Sequence, residues 1–199
     1  MSASPPPLVL VHGLFDTPEI FRGLRHCLGN RRDPLLAPHL PHRLGAIGLE
    51  TLAQRLGEQI EAAFGAEQPV DVLGFSMGGL IARTWIQLFD GAARTRRFIS
   101  VASPHAGSLV ALPWPRLLLA GVADMKPGSP LLRRLDADLE PLRRIDCTSF
   151  YIPSDLMVIP GWRAVLPVGP RIRLPVLQHR LLMAEPGSLT PITAELLRV

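Results

Sequence analysis

Val70-Asp71-Val72-Leu73-Gly74-Phe75 is an apolar, β-branched run that ends in Ser76-Met77-Gly78-Gly79, and a helix-compatible segment from Leu80 to Phe89 follows at once. Strand, Gly-x-Ser-x-Gly and helix in immediate succession leave one tight turn for the reversal. No other feature constrains the fold as strongly. A Cβ at Gly74 or Gly78 would collide with the neighbouring strand or helix. Such a turn lifts the Ser76 hydroxyl out of a sheet and sets it at a helix N-terminus. There, free N–H groups and the positive dipole end favour negative charge. A purely structural strand-turn-helix has the same outline, so the rest of the chain must decide.

Apolar β-rich runs alternate with helical patterns along the chain, the mark of an α/β domain with a mostly parallel central sheet flanked by helices. Strands are expected at Pro7–Val11, Pro34–Ala37, Val70–Phe75, Arg97–Ala102, Cys147–Ile152 and Arg171–Leu174. Helices are expected at Pro18–Leu28, Gly48–Phe64, Met77–Phe89 and Pro191–Arg198. In the second, Leu49, Leu52, Ala53, Leu56, Ile60 and Phe64 recur at helical spacing. In the last, Thr190 stands as N-cap and Pro191 at the first helical position. One domain over residues 1–199 is expected. From Pro104 to about Pro141 the alternation breaks into a Pro-, Leu- and Gly-rich stretch with a helical piece at Pro130–Leu139. Two readings stand together: a small helical cap over the strand ends, and extra helices packed on the core.

Composition excludes several classes. Hydrophobic content of 47% with 19% charged residues describes a globular protein rather than a disordered one. The net charge is +4, and Lys126 is the only lysine among scattered arginines. The short clusters Arg94-Arg96-Arg97 and Arg143-Arg144 lack interleaved aromatics, so nucleic acid is not an expected partner. Cys27 and Cys147 fall in a predicted helix and strand and are expected as buried free thiols. No stretch reads as a leader or membrane span, which suggests a cytoplasmic protein.

A serine hydroxyl becomes a useful nucleophile only with a base to take its proton and a third group to orient that base. It also needs donors for the oxyanion. The first strand leaves through His12-Gly13-Leu14-Phe15, a tight turn whose Leu14 N–H can join the Met77 N–H as oxyanion donors. His12 itself is either a base or, as its place before the turn favours, a brace for the loop. The expected acid is Asp155, on a loop directly after a strand. Asp136 and Asp138 read as solvated charges beside Arg133 and Arg134, and Asp146 opens the strand at the far end from Ser76. His179 is the only histidine after Asp155 and so the one base consistent with the order Ser, Asp, His. His39 and His42 flank Pro41 without carboxylate company, and His105 reads as a loop stabiliser. No His/Cys cluster has metal-ligand spacing, so neither metal nor cofactor is expected.

With these parts in order, the chain resembles the α/β-hydrolase superfamily, and within it small bacterial lipases and esterases. The likeness rests on Val9-Leu10-Val11-His12-Gly13-Leu14, on Gly74-Phe75-Ser76-Met77-Gly78-Gly79-Leu80 and on Ala102-Ser103-Pro104-His105-Ala106-Gly107-Ser108. Met125-Lys126-Pro127-Gly128-Ser129-Pro130-Leu131, Ser154-Asp155 and His179 extend it across nearly the whole chain. The resemblance implies ester hydrolysis through an acyl-serine, on a sheet of eight strands in the full fold. This shorter chain would lack the first two strands. The glycine that often precedes the histidine in relatives is also missing here.

The expected activity is hydrolysis of carboxylic esters with apolar acyl chains, on a small-molecule ester or lipid. Phe15, Leu109, Trp114, Trp162 and Leu117-Leu118-Leu119 are candidate walls of an apolar cleft. Their plain alternative is core filling. An acyltransferase or thioesterase would use the same triad, and a non-catalytic binding module would use the same fold. Transient contact with a membrane surface through Trp114–Leu119 is a further expectation, while the oligomeric state is not legible.

Overall fold

The computed structural model describes residues 5–198. Its centre is a six-stranded sheet in the order β2-β1-β3-β4-β5-β6, with every neighbouring pair parallel. The strands are β1 (Leu8–Val11), β2 (Leu35–Leu36), β3 (Val70–Phe75), β4 (Thr95–Val101), β5 (Asp146–Tyr151) and β6 (Arg171–Arg173). All six stand where the apolar runs placed them, within one or two residues. β1 and β3 are buried throughout because helices cover both faces, which is why they read as continuous apolar runs instead of alternating ones.

The helices are α1 (Arg22–Leu28), α2 (Leu49–Phe64), α3 (Met77–Leu88), α4 (Ala120–Asp124), α5 (Pro130–Ala137), α6 (Glu140–Arg143) and α7 (Pro186–Leu196). Two cores form, one on each face of the sheet. Leu49, Leu52, Ala53, Leu56 and Ile60 of α2 join α3 and residues of α4 and α5 on one face. Leu24 and Leu28 of α1 meet Leu189, Ile192 and Leu196 of α7 on the other. Alternate residues of the strands feed opposite cores, with Val9 and Val11 in the first and Leu8 and Leu10 in the second.

The C-terminal helix corrects the expected start at Pro191. It begins at Pro186, and Pro191 lies inside it. Leu189 N–H already donates to Glu185 O at 2.9 Å, and Leu189 is buried against the first helix of this face. Burying Leu189 outweighs the backbone bond that Pro191 gives up near the helix start. Cys27 is half-buried and Cys147 buried, both as free thiols, and burial pushes the Cys147 thiol up to about 12. Among the described residues no helix is long and apolar enough to cross a membrane.

The stretch 104–141 divides in two. Its second half packs on α3 through Leu131, Leu132 and Leu135. Arg83 of α3, fully buried, ties it down: its guanidinium donates to His105 O, Leu135 O and Asp136 Oδ1 at 3.2, 3.1 and 2.8 Å. Asp136 is exposed, as its neighbours Arg133 and Arg134 suggest, and is also the partner of a buried cation. The first half of the stretch lies over the C-terminal ends of the strands.

Candidate active site

Ser76 has φ +54° and ψ −128°, a strained backbone for a residue with a Cβ, and its N–H is fixed by Val101 O at 2.9 Å. The surrounding glycines make this possible. A Cβ on Gly78 would strike the carbonyls of Val11 and His12, and one on Gly74 would strike the backbone of Gly78 and Gly79. Met77 is the first residue of α3, so its N–H has no intrahelical acceptor. Neither it nor the Leu14 N–H donates to a protein group among the described residues.

Asp155 lies in the loop after β5 and is buried. Its Oδ1 accepts from Met157 N–H at 2.7 Å and Val158 N–H at 3.0 Å, so an Asx turn locks the carboxylate. Its Oδ2 lies 2.8 Å from His179 Nδ1. A carboxylate can only accept, so Nδ1 carries the proton and Nε2 keeps its lone pair. The His179 ring packs against Phe75, the residue before Ser76, with centroids 5.1 Å apart. Ser76 and His179 line one cavity, though no hydrogen bond joins them in this conformation. Asp138 caps Glu140 N–H, and Asp146 opens β5 paired with Arg97 and Arg198. Both are occupied elsewhere.

Two other histidines, His12 and His105, are braces. Leu40 N–H donates to His12 Nε2 at 3.1 Å while His12 Nδ1 lies 3.1 Å from Gly13 O, which uses both ring nitrogens. His12 is thus neutral, and its burial lowers its pKa. His105 Nε2 lies 2.6 Å from Ser100 Oγ inside the core, where desolvation drives its pKa well below the usual value. Burial lowers the pKa of His42 against the opposing pull of Asp16, and among the described residues no group of histidine, cysteine and carboxylate side chains is arranged to hold a metal ion.

The cavity holds about 570 Å³, within the range of ~300–1,000 Å³ usual for small-molecule sites. Val110, Ala111, Trp114, Leu119, Val122 and Met125 form one wall, Phe15 and Leu44 another. Phe15 and Trp114 thus stand where expected. Leu109 does not: the Ser108-capped turn points it away from the cavity, and Val110 takes its place. Trp162 also lies outside, stacked on Arg163, and Leu117 and Leu118 face solvent. Asp16 and Arg180 line the cavity beside His179 and were not singled out by the sequence motifs. The signal for Asp16 was its place on the same loop as Leu14.

The palmitoyl protein thioesterase family matches this chain over residues 7–125. That span is more than half of the chain and runs from the first strand through the serine turn to the end of α4. The chain belongs to the palmitoyl protein thioesterase family. It is a hydrolase of the α/β-hydrolase fold, and solved structures agree on the fold. The mature lipase BlEst2 of Bacillus licheniformis superposes with a TM-score of 0.74 at 16% identity, over 100% of this chain and 94% of its own. Lipase B of Aspergillus fumigatus gives 0.77 at 17% identity, over 97% of this chain but only 52% of its own. An extracellular α/β-hydrolase from a Paenibacillus species gives 0.64 at 16%, over 95% and 97%. No curated protein matches by sequence.

Proposed function

We propose that this chain is a serine hydrolase that removes an apolar acyl group from an ester or thioester through an acyl-Ser76 intermediate. One observation carries the reading. Ser76 on its strained turn and His179, with Nδ1 held by Asp155, open into the same largely apolar cavity. Ser76 Oγ attacks the acyl carbonyl and His179 Nε2 takes its proton, then returns it to the leaving oxygen or sulfur. Asp155 holds the tautomer and stabilises the imidazolium. The Leu14 and Met77 N–H groups receive the oxyanion, and water releases the acid by the same steps in reverse order. The acyl chain occupies the wall formed by Val110, Trp114, Leu119 and Val122. Exposed Leu112, Leu117 and Leu118 beside that wall give a membrane-borne acyl chain an apolar approach.

Family membership favours a sulfur leaving group as the second reading. A thiol, with an ordinary pKa of about 8.5, leaves with less help from a general acid than an alcohol does. A single experiment tests both. A fluorophosphonate probe should label the wild type once and leave Ser76→Ala unlabelled, with turnover reduced by about 10³-fold or more in the variant. A matched oxygen-ester and thioester pair of one acyl length then reports the leaving-group preference. Near-full activity in folded Ser76→Ala would refute the assignment.

A further inference from the structure

Deacylation poses a problem that acylation does not. The attacking water has two hydrogens. His179 Nε2 takes one, and the other needs an acceptor while the oxygen is held in line with the acyl carbon. The polar side chains lining the cavity are Asp16, Ser76, Ser108, His179 and Arg180. Ser76 is the acylated atom's own residue, and arginine has no acceptor. Ser108 Oγ is occupied: it donates to Met157 O at 2.8 Å and accepts from Ile159 N–H at 3.1 Å and Val110 N–H at 3.3 Å. Both oxygens of Asp155, behind the imidazole, are used by the two amides and Nδ1. Among the described side chains lining the cavity, Asp16 alone keeps a free acceptor.

Its position fits the need. A methyl group on Gly13 would stand 2.8 Å from Ser76 Cβ and 3.0 Å from Asp16 Oδ2, so serine and carboxyl flank the same point. Asp16, Ser76 and His179 line the same cavity. An attacking water in that cavity must share one proton with Nε2, and its second hydrogen is left for an acceptor on the cavity wall. Phe15, at φ +64°, makes the turn that brings Asp16 back over Gly13. Burial raises the pKa of this carboxyl. Either protonation state keeps an acceptor oxygen, so the role does not hang on the charge.

We propose that Asp16 holds the hydrolytic water, accepting one of its hydrogens while His179 removes the other. The proposal rests on the serine-hydrolase reading above. In the step, the water oxygen bonds to the acyl carbon and its first proton passes to His179 Nε2. The Ser76 Oγ–carbon bond then breaks, and that proton returns to Oγ. The second hydrogen leaves with the acid. An alcohol acceptor brings only one exchangeable hydrogen and has no need of Asp16. The carboxyl would therefore bias the site towards water and away from acyl transfer.

Burst kinetics with a p-nitrophenyl ester, with and without methanol as competing acceptor, test this in wild type, Asp16→Ala and Asp16→Asn. In Asp16→Ala the burst rate should stay within about twofold of wild type. Its steady-state hydrolysis should fall about tenfold, the scale of one hydrogen bond to the reacting water. Acyl-enzyme should accumulate by intact mass, and the ratio of methyl ester to acid should rise by a similar factor. Asp16→Asn keeps an acceptor oxygen and should restore most of the deacylation. Equal loss of burst and steady-state rates, no change in either, or failure of asparagine to restore deacylation would overturn the proposal. A wild type with neither burst nor phosphonate labelling would instead overturn the hydrolase reading together with it.

Discussion

His179 and Asp155, 24 residues apart in the chain, meet at 2.8 Å with the imidazole proton on the carboxylate side. The aspartate cannot turn away, because its other oxygen is fixed by two backbone amides. Asp155→Asn should leave those amides an acceptor oxygen but offer an NH₂ to Nδ1. The ring would then take the tautomer with Nε2 protonated, useless as a base. Turnover of a soluble ester is expected to fall by about 10³–10⁴-fold while the melting temperature changes little. Retention of more than a tenth of wild-type turnover would remove Asp155 from its role.

Chain-length dependence should follow the apolar wall. Each methylene buried there contributes about 0.8 kcal/mol, or roughly a fourfold gain in kcat/KM per carbon, until the cavity is full. A series of p-nitrophenyl esters from short to long acyl chains measures the slope and the break. Val122→Trp, which fills the wall beside Leu119, should bring the break to shorter chains. A flat series would argue against acyl binding at this wall.

Stability should fall on mild acidification. His12, His42 and His105 all have folded-state pKa values below their ordinary 6.5, chiefly because they are buried. Below pH 6.5 the unfolded chain binds protons that the folded chain does not. Their contribution is thus complete above that value and is lost as pH falls from it towards the depressed folded values. Asp16, raised from 3.8, acts in the opposite sense at lower pH. Thermal melts between pH 7.5 and 5 should show a steady decline that is reduced in His105→Gln. A melting temperature that rises on acidification over this range would contradict the neutral assignment of these rings.

Arg83 is expected to be the costliest polar residue to remove. Arg83→Ala leaves the carbonyl of His105 without its donor, strips Leu135 O of one of its two, since Gln87 Nε2 still donates there, and opens a cavity beneath the segment that walls the site. A loss of roughly 3–5 kcal/mol in denaturant unfolding is the expected size. A loss below about 1 kcal/mol would mean that water or Gln87 replaces it.

Much of this protein is local in origin. The β3 run, the glycines around Ser76 and the helix after them interact within a few residues, so the strained turn could be read directly from the sequence. The order of Asp155 and His179 along alternating strands was legible for a similar reason, since a parallel sheet brings successive strand ends to one edge. Periodicity likewise placed α2 to within one residue. What spacing could not show was which side chains meet. That Asp136 pairs with a buried arginine, that Val110 rather than Leu109 walls the cavity, and that Asp16 lines the same cavity as His179 depend on side-chain direction and loop path across elements far apart in sequence. Even the start of α7 was decided this way, because burying Leu189 in a distant core outweighed the local signal of Pro191. Local turn geometry and strand order are encoded by neighbours in the chain. Partnership, burial and the free acceptor in the cavity arise only when separate elements pack and exclude water from one another.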